Sequence, residues 1–298
     1  MPLNQYKLMC TSPIFINGAD KNAPEPRAAS ARGQLRYWFR ALEGAVRPDR
    51  QELWERESGL LGSTEGASKV SVRFYSRGEL RTAEKEMLPH RSSARDRSPQ
   101  NAILENNHFT LEFSTRPGLE IPPRLEYTMF VWLLLGGIGK RSRRMFGGFG
   151  LDWTGEMLAQ KTPQGLAELI NKRIGLQVKN PPAMPQIPAF PTLHPNHSRV
   201  LVGTKPYNSH QDLVVSLFRD ILRQQKFIAN ERSFGYAMRG RRASPLIAQA
   251  RELNGKFYPV LTVMRSKPDQ DIKWDVVKEM MNDAQKLWNG VEAWGNWR

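Results

Sequence analysis

One cysteine, Cys10, is all that 298 residues contain. That excludes an intramolecular disulfide and any zinc site built on several thiolates, and it fits a reducing compartment. Long apolar runs are also missing. The richest, Met129 to Leu135 with the glycines that follow, is too short to span a bilayer. The opening Met1-Pro2-Leu3-Asn4-Gln5 lacks the charged and apolar regions of a secretory leader. A cytoplasmic protein without membrane association is expected. Acidic residues are scarce: 29 Asp plus Glu face 44 Lys plus Arg, a net charge of +15, and the pI is near 10.1. A charge so far from zero concerns partners rather than fold, and it favours a polyanion. Arginine outnumbers lysine 29 to 15. Guanidinium forks match phosphate and stack on planar groups, which favours nucleic acid over an anionic lipid surface.

Against this background one stretch stands out, Gly136-Gly137-Ile138-Gly139-Lys140-Arg141-Ser142-Arg143-Arg144-Met145-Phe146-Gly147-Gly148-Phe149-Gly150. Its glycines let a chain approach a ligand closely. Lys140, Arg141, Arg143 and Arg144 attract phosphates, and Phe146 and Phe149 are candidate flat surfaces for bases. Two nucleotide motifs fail here. A P-loop needs glycine where Leu134 stands and a hydroxyl where Arg141 stands, and the dinucleotide fingerprint meets Ser142 at its third glycine. ATP and NAD are thereby disfavoured, and no cofactor is expected. Gly137, Gly139, the four cations and Phe146 form the first candidate RNA-binding group.

Two further clusters share this chemistry. Arg32, Arg36 and Arg40 fall at i, i+4 and i+8 of an expected helix and so line one ridge, with Tyr37 beside them. No acidic residue interleaves. Arg232-Ser233-Phe234-Gly235-Tyr236-Ala237-Met238-Arg239-Gly240-Arg241-Arg242 again mixes glycine, aromatics and arginine, and makes Arg239, Arg241 and Arg242 candidates. Catalytic and metal-binding signals are thin. Asp20 sits in a loop without a second carboxylate nearby, so a turn cap is the simpler role. His194 and His197 have a metal-like spacing but no third ligand, and are read as surface residues. No metal is expected.

Periodicity and breakers give an α+β order. A strand is expected over Leu3–Cys10, a loop over Thr11–Pro26, and a helix over Ala31–Leu42 capped by Ser30. Val70–Tyr75 and Phe109–Phe113 read as strands, and the charged Ser76–Asn107 as an exposed or disordered insertion. Glu126–Leu135 reads as a buried helix feeding the glycine loop. Six prolines from Pro181 to Pro195 mark residues 179–199 as a stiff arm or linker. A helix over Gln211–Phe227, strands over Ser244–Ala250 and Lys256–Val263, and a helix over Asp275–Trp288 complete the chain. Two domains are expected, 1–155 and 156–298, the second carrying the arm.

The order of motifs resembles a known family. Ser12-Pro13-Ile14-Phe15 with Gly18-Ala19-Asp20, then Arg32-Gly33-Gln34-Leu35-Arg36-Tyr37-Trp38-Phe39-Arg40-Ala41-Leu42, is similar to the N-terminal signature of RAMP proteins, the RNA-binding subunits of CRISPR effector complexes. Leu60-Leu61-Gly62-Ser63, the glycine loop, and Arg241-Arg242-Ala243-Ser244-Pro245-Leu246 follow in the same order. The pattern lies nearest the first subunit of the type III-B Cmr module. The resemblance implies two ferredoxin-like (RRM-like) domains with antiparallel sheets, and a glycine-rich loop after the last helix of the first. It also implies other effector subunits as partners and contacts to crRNA or target RNA toward the 3′ part of the guide. Binding without cleavage is the role implied. The alternative is a RAMP endoribonuclease acting on crRNA precursor or target.

Overall fold

The computed structural model describes residues 2–20, 22–93, 95–150, 161–235, 242–267 and 272–297. Three antiparallel sheets organise them. In the first, β1 (Leu3–Met9) and β2 (Val70–Ser76) flank β5 (His108–Thr115), giving the order β1-β5-β2. Val70, Val72 and Phe74 of β2 point inward while Ser71, Arg73 and Tyr75 face out, the period-two pattern of a half-buried strand. The inner face packs on α1 (Ala28–Val46), whose Ala31, Leu35, Trp38, Phe39 and Leu42 form one buried stripe. Helix α3 (Pro123–Leu135) lies against α1 and is buried over most of its length.

The segment expected to be an exposed or disordered insertion is largely exposed but not disordered: it contains a two-stranded hairpin, β3 (Thr82–Glu86) with β4 (Pro99–Ile103). Its β3 strand is almost wholly exposed, so hydrophobic patterning gave no sign of it. Helix α2 (Arg50–Leu61) was also missed. It is weakly amphipathic and starts at Asp49, whose side chain accepts the Glu52 N–H at 2.8 Å. Ser30 is not the cap of α1: the helix begins three residues earlier, and Ser30 lies in its first turn.

Helix α4 (Pro163–Gly175), capped by Thr162, leads into the proline-rich arm. The arm is docked, not free. Leu193 N–H bonds Ala41 O at 2.8 Å, and the rings of His194 and His197 meet Pro182 O at 3.0 Å and Met184 O at 2.6 Å. Both histidines are buried, contrary to their reading as surface residues, because they tie the arm to strand β6 (Ser198–Val202). The expected 211–227 helix is α5 (His210–Ser216), a π-helical turn over Leu217–Leu222, and a short α6 (Gln225–Ile228). Strands β7 (Leu246–Leu253) and β8 (Lys256–Met264), helix α7 (Trp274–Leu287) and strand β9 (Val291–Trp294) follow.

These last strands form a four-stranded sheet in the order β7-β8-β6-β9. Both of its faces are covered. Val200, Val202 and Ile247 join the core shared with α1, α3 and α4. Leu201, Leu246, Ala248 and Leu261 join the core built by α5 and α7. The expected boundary at 155/156 lies outside the described residues. Helix α3 meets β7 and β8 directly, so the two halves share one core.

Candidate nucleic-acid interface

The glycine loop leaves α3 at Gly136, whose N–H still bonds Trp132 O at 2.7 Å. It then threads between the two halves. Lys140 N–H reaches Phe15 O at 2.7 Å, Gly147 N–H reaches Pro13 O and Ile138 N–H reaches Gly147 O, both at 3.0 Å. At Gly147 φ is +70°, and a Cβ would lie 2.0 Å from Ile138 O. At Gly139 φ is +85° and a Cβ would lie 2.5 Å from Phe15 O. These glycines therefore allow backbone to approach backbone inside the protein. They were expected to let the chain come close to a ligand; the close approach they permit here is to the protein's own backbone, and Gly137 likewise abuts Phe146 O. Phe146 and Phe149 are buried, Phe146 against Phe15 at 5.2 Å, and neither offers a face to a base.

Strand β7 clamps the loop. Met145 N–H bonds Ala248 O at 2.8 Å and Ala248 N–H bonds Arg143 O at 3.2 Å. From the β7 face toward α3, Gln249 donates to Ser142 O, and the fully buried Arg251 donates to Leu134 O at 2.9 Å and Gly136 O at 2.7 Å. Sequence reasoning missed both residues. Their signal is two polar side chains at i, i+2 in a mostly apolar strand, which puts them on one face of it.

The loop cations separate into tied and available groups. Arg144 donates to Phe234 O at 2.7 Å and Leu246 O at 3.2 Å, and Arg143 donates to Ser244 O at 2.6 Å while its guanidinium sits 4.9 Å from the Tyr37 ring centre. Lys140 is exposed and reaches only Gln100 Oε1, at 3.0 Å. Arg141 occupies a left-handed conformation, φ 62°, and its Nε and Nη2 are buried without an acceptor. None of the four has a carboxylate within ion-pair distance among the described residues. Burial, reinforced by Arg141 and Arg143, pulls the Arg144 pKa down to about 9. Burial, then Arg91, pulls Arg141 down to about 10. Such uncompensated cations are expensive to keep and would gain from an anion placed among them.

A cleft of about 440 Å³ runs between this loop and residues 234–235 and 242–244, lined by Lys140, Arg141, Arg143, Arg144 and Arg242. It continues past Arg143 and Tyr37 toward Lys267, and past Arg141 and Arg144 toward Arg223. The structure thus brings the glycine loop, Tyr37 and Arg242 together. Arg239 and Arg241 lie outside the described residues.

The helix ridge has a different setting. Arg36 pairs with Glu57 of α2 at 2.6 Å, Arg40 pairs with the same carboxylate group at 3.3 Å, and Arg32 donates to Leu61 O at 3.3 Å. The expectation of three uncompensated arginines is corrected: the compensating acid comes from a helix that the sequence did not reveal. Asp20 accepts the Asn22 N–H at 2.8 Å, the turn role expected of it. The described residues hold no group of three or more His, Cys, Asp or Glu able to bind a metal, and no helix is long and apolar enough to cross a membrane.

Residues 7–150 match the RAMP superfamily. This matched region holds α1, α3 and the whole glycine loop. The chain is 42% identical to the Cmr subunit Cmr1-2 of Pyrococcus furiosus over 69 residues, 23% of this chain and 37% of that relative. It is 25% identical to Cmr1-1 of the same organism over 96% of both chains. In three dimensions it is similar to the crystal structure of apo Cmr1 from Pyrococcus furiosus, with a TM-score of 0.70, 18% identity and full coverage of both chains. It is also similar to a chain in the cryo-EM structure of type III-B Cmr-beta bound to cognate target RNA, with a TM-score of 0.64, 11% identity, and coverage of 94% of this chain and 99% of that one. The RAMP assignment and these likenesses agree with the mixed α/β, antiparallel architecture.

Proposed function

We propose that this chain is an RNA-binding subunit of a type III-B CRISPR effector ribonucleoprotein in the cytoplasm. It holds crRNA or target RNA toward the 3′ part of the guide and does not cut it. The observation that carries the reading is a cleft at the junction of the two halves in which Lys140, Arg141, Arg143 and Arg144 have no carboxylate within ion-pair distance among the described residues. A phosphodiester backbone supplies the missing charge, and the arginine forks supply directed donors. Similarity to Cmr1 proteins, and to a chain from a type III-B Cmr complex bound to cognate target RNA, supports the same choice. The helix–sheet order supports two ferredoxin-like units. The second sheet, β7-β8-β6-β9, carries the β-α-β-β-α-β succession of that fold. The first has the same succession without a final strand in its sheet. On this division residues 1–155 and 156–298 are the two units, with the 179–199 arm belonging to the second.

The work is electrostatic and positional. Lys140, Arg141 and Arg242 meet phosphates, while Arg143 and Arg144 hold the shape of the trough. Arg239 and Arg241, outside the described residues, are further candidate contacts, and Arg32, Arg36 and Arg40, already tied to Glu57 and Leu61, contribute least. Other effector subunits complete the RNA path. The test is direct: the purified chain binds single-stranded RNA and leaves it intact in the presence of Mg²⁺. RNA cleavage that disappears on Asp20→Ala would overturn the binding-only reading, and failure to bind RNA would overturn the reading altogether.

A further inference from the structure

Beside the trough lies a smaller pocket of about 320 Å³ with a different wall. Arg141, Arg144 and Arg223 line one part of it, and Phe218, Leu222, Ile228 and Phe234 line another. Glu231 at the rim offsets part of the charge. Ile228 is 52% exposed, so the apolar wall is open to solvent on that side. One side of Phe218 is already taken: the His90 ring, delivered by the β3–β4 connection, stacks on it at 3.8 Å and 10°. The Arg141 guanidinium sits 5.3 Å from the centre of the same Phe218 ring. Its Nε and Nη2 are buried with no acceptor, which ordinarily marks a missing partner.

An apolar wall with an unsatisfied guanidinium beside it matches a ligand that is flat and apolar at one end and anionic at the other. We propose that this pocket receives one nucleotide splayed out of the RNA strand, its base against Leu222, Ile228 and Phe234 and its phosphate on Arg141 and Arg223. This inference rests on the RNA-binding reading and deepens it. The pocket adjoins the trough through Arg141, Arg144, Phe234 and Gly235, so a strand lying in the trough needs to turn out only a single residue to fill it. The small volume argues for one nucleotide, since a duplex or a run of stacked bases is far larger. Base–protein stacking is sequence-tolerant, so the pocket would register strand position and not sequence.

Photocrosslinking separates this claim from its foundation. Single-stranded RNA carrying one 4-thiouridine, either internal or at the 3′ end, is bound to the full chain, irradiated and mapped. Crosslinks within residues 217–235 support the pocket, and the position that gives them says whether an internal or a terminal nucleotide enters. Ile228→Ser, a change at an exposed site, should remove those crosslinks and weaken binding about fivefold, the low end for one base contact. It should leave the salt slope unchanged, because no phosphate contact is lost. Arg223→Ala should weaken binding and reduce the slope by about 0.7. RNA that binds normally but crosslinks only to residues 139–144 and 242–244 overturns the pocket and leaves the RNA reading standing. No RNA binding at all overturns both.

Discussion

On α1, Arg36 and Arg40 share the carboxylate of Glu57, and Arg32 and Arg36 cap carbonyls at the end of α2. In the glycine loop, Arg141, Arg143 and Arg144 have no carboxylate within ion-pair distance among the described residues, and their partners are carbonyls and aromatic rings. Both groups look alike in sequence as three arginines within nine residues or fewer. What separates them is the supply of acid from elsewhere in the fold. The first group is mainly a helix-to-helix joint, and the second is a site that lacks its counter-charge. A charge cluster therefore has to be judged by what the tertiary structure sets against it.

The largest expected effect breaks the loop side of this contrast. Gly147→Ala places a methyl against Ile138 O at a positive φ, and should destabilise the protein by about 3 kcal/mol. Urea denaturation measures the loss, and RNA affinity should fall with it as the cations lose their arrangement. An unchanged midpoint would show that the loop is not packed as described.

The ridge side is broken by Glu57→Gln. Removing one member of a largely buried pair should cost about 1–2 kcal/mol. RNA affinity should hold steady or rise slightly, because two cations are freed. A marked loss of affinity without a loss of stability would make Glu57 part of an RNA site and erase the contrast.

A smaller effect sharpens the loop side through His90. Burial, then Arg223, Arg141 and Arg91, pushes its pKa down from 6.5 to about 4. Between those values the unfolded chain binds the extra proton, so acidification from pH 6.5 toward 4 favours unfolding. His90 is half-buried, and after solvent screening the loss is of order 1 kcal/mol. His90→Phe retains a ring on Phe218 and should flatten that part of the stability–pH curve relative to the parent. Identical curves would mean that folding does not lower the His90 pKa.

Much of the scaffold was legible. The strands around Leu3–Met9, Val70–Ser76 and His108–Thr115, helix α3 and the two long C-terminal strands follow alternation or apolar length, both local properties. The α2 helix and the β3 strand were not legible. Their faces are polar, and α2 announces itself only by the Asp49 cap. The glycine loop was legible as a basic loop but not in its inner workings. Its glycines and Phe146 are spent on internal packing against residues more than a hundred positions away, such as Pro13, Phe15 and Ala248. The buried His194, His197 and His210 show the same limit, since each is explained by a carbonyl from a distant or irregular segment.

The central claim is that the glycine loop, and not the helix ridge, carries the phosphate contacts. The salt dependence of single-stranded RNA binding measures it in the parent, in Lys140→Ala/Arg141→Ala, and in Arg32→Ala/Arg40→Ala. Each phosphate contact contributes about 0.7 to the slope of log affinity against log salt. The loop variant should therefore lose about 1.4 from the slope, while the ridge variant keeps the parental slope. A ridge variant that loses slope while the loop variant keeps it would contradict the account.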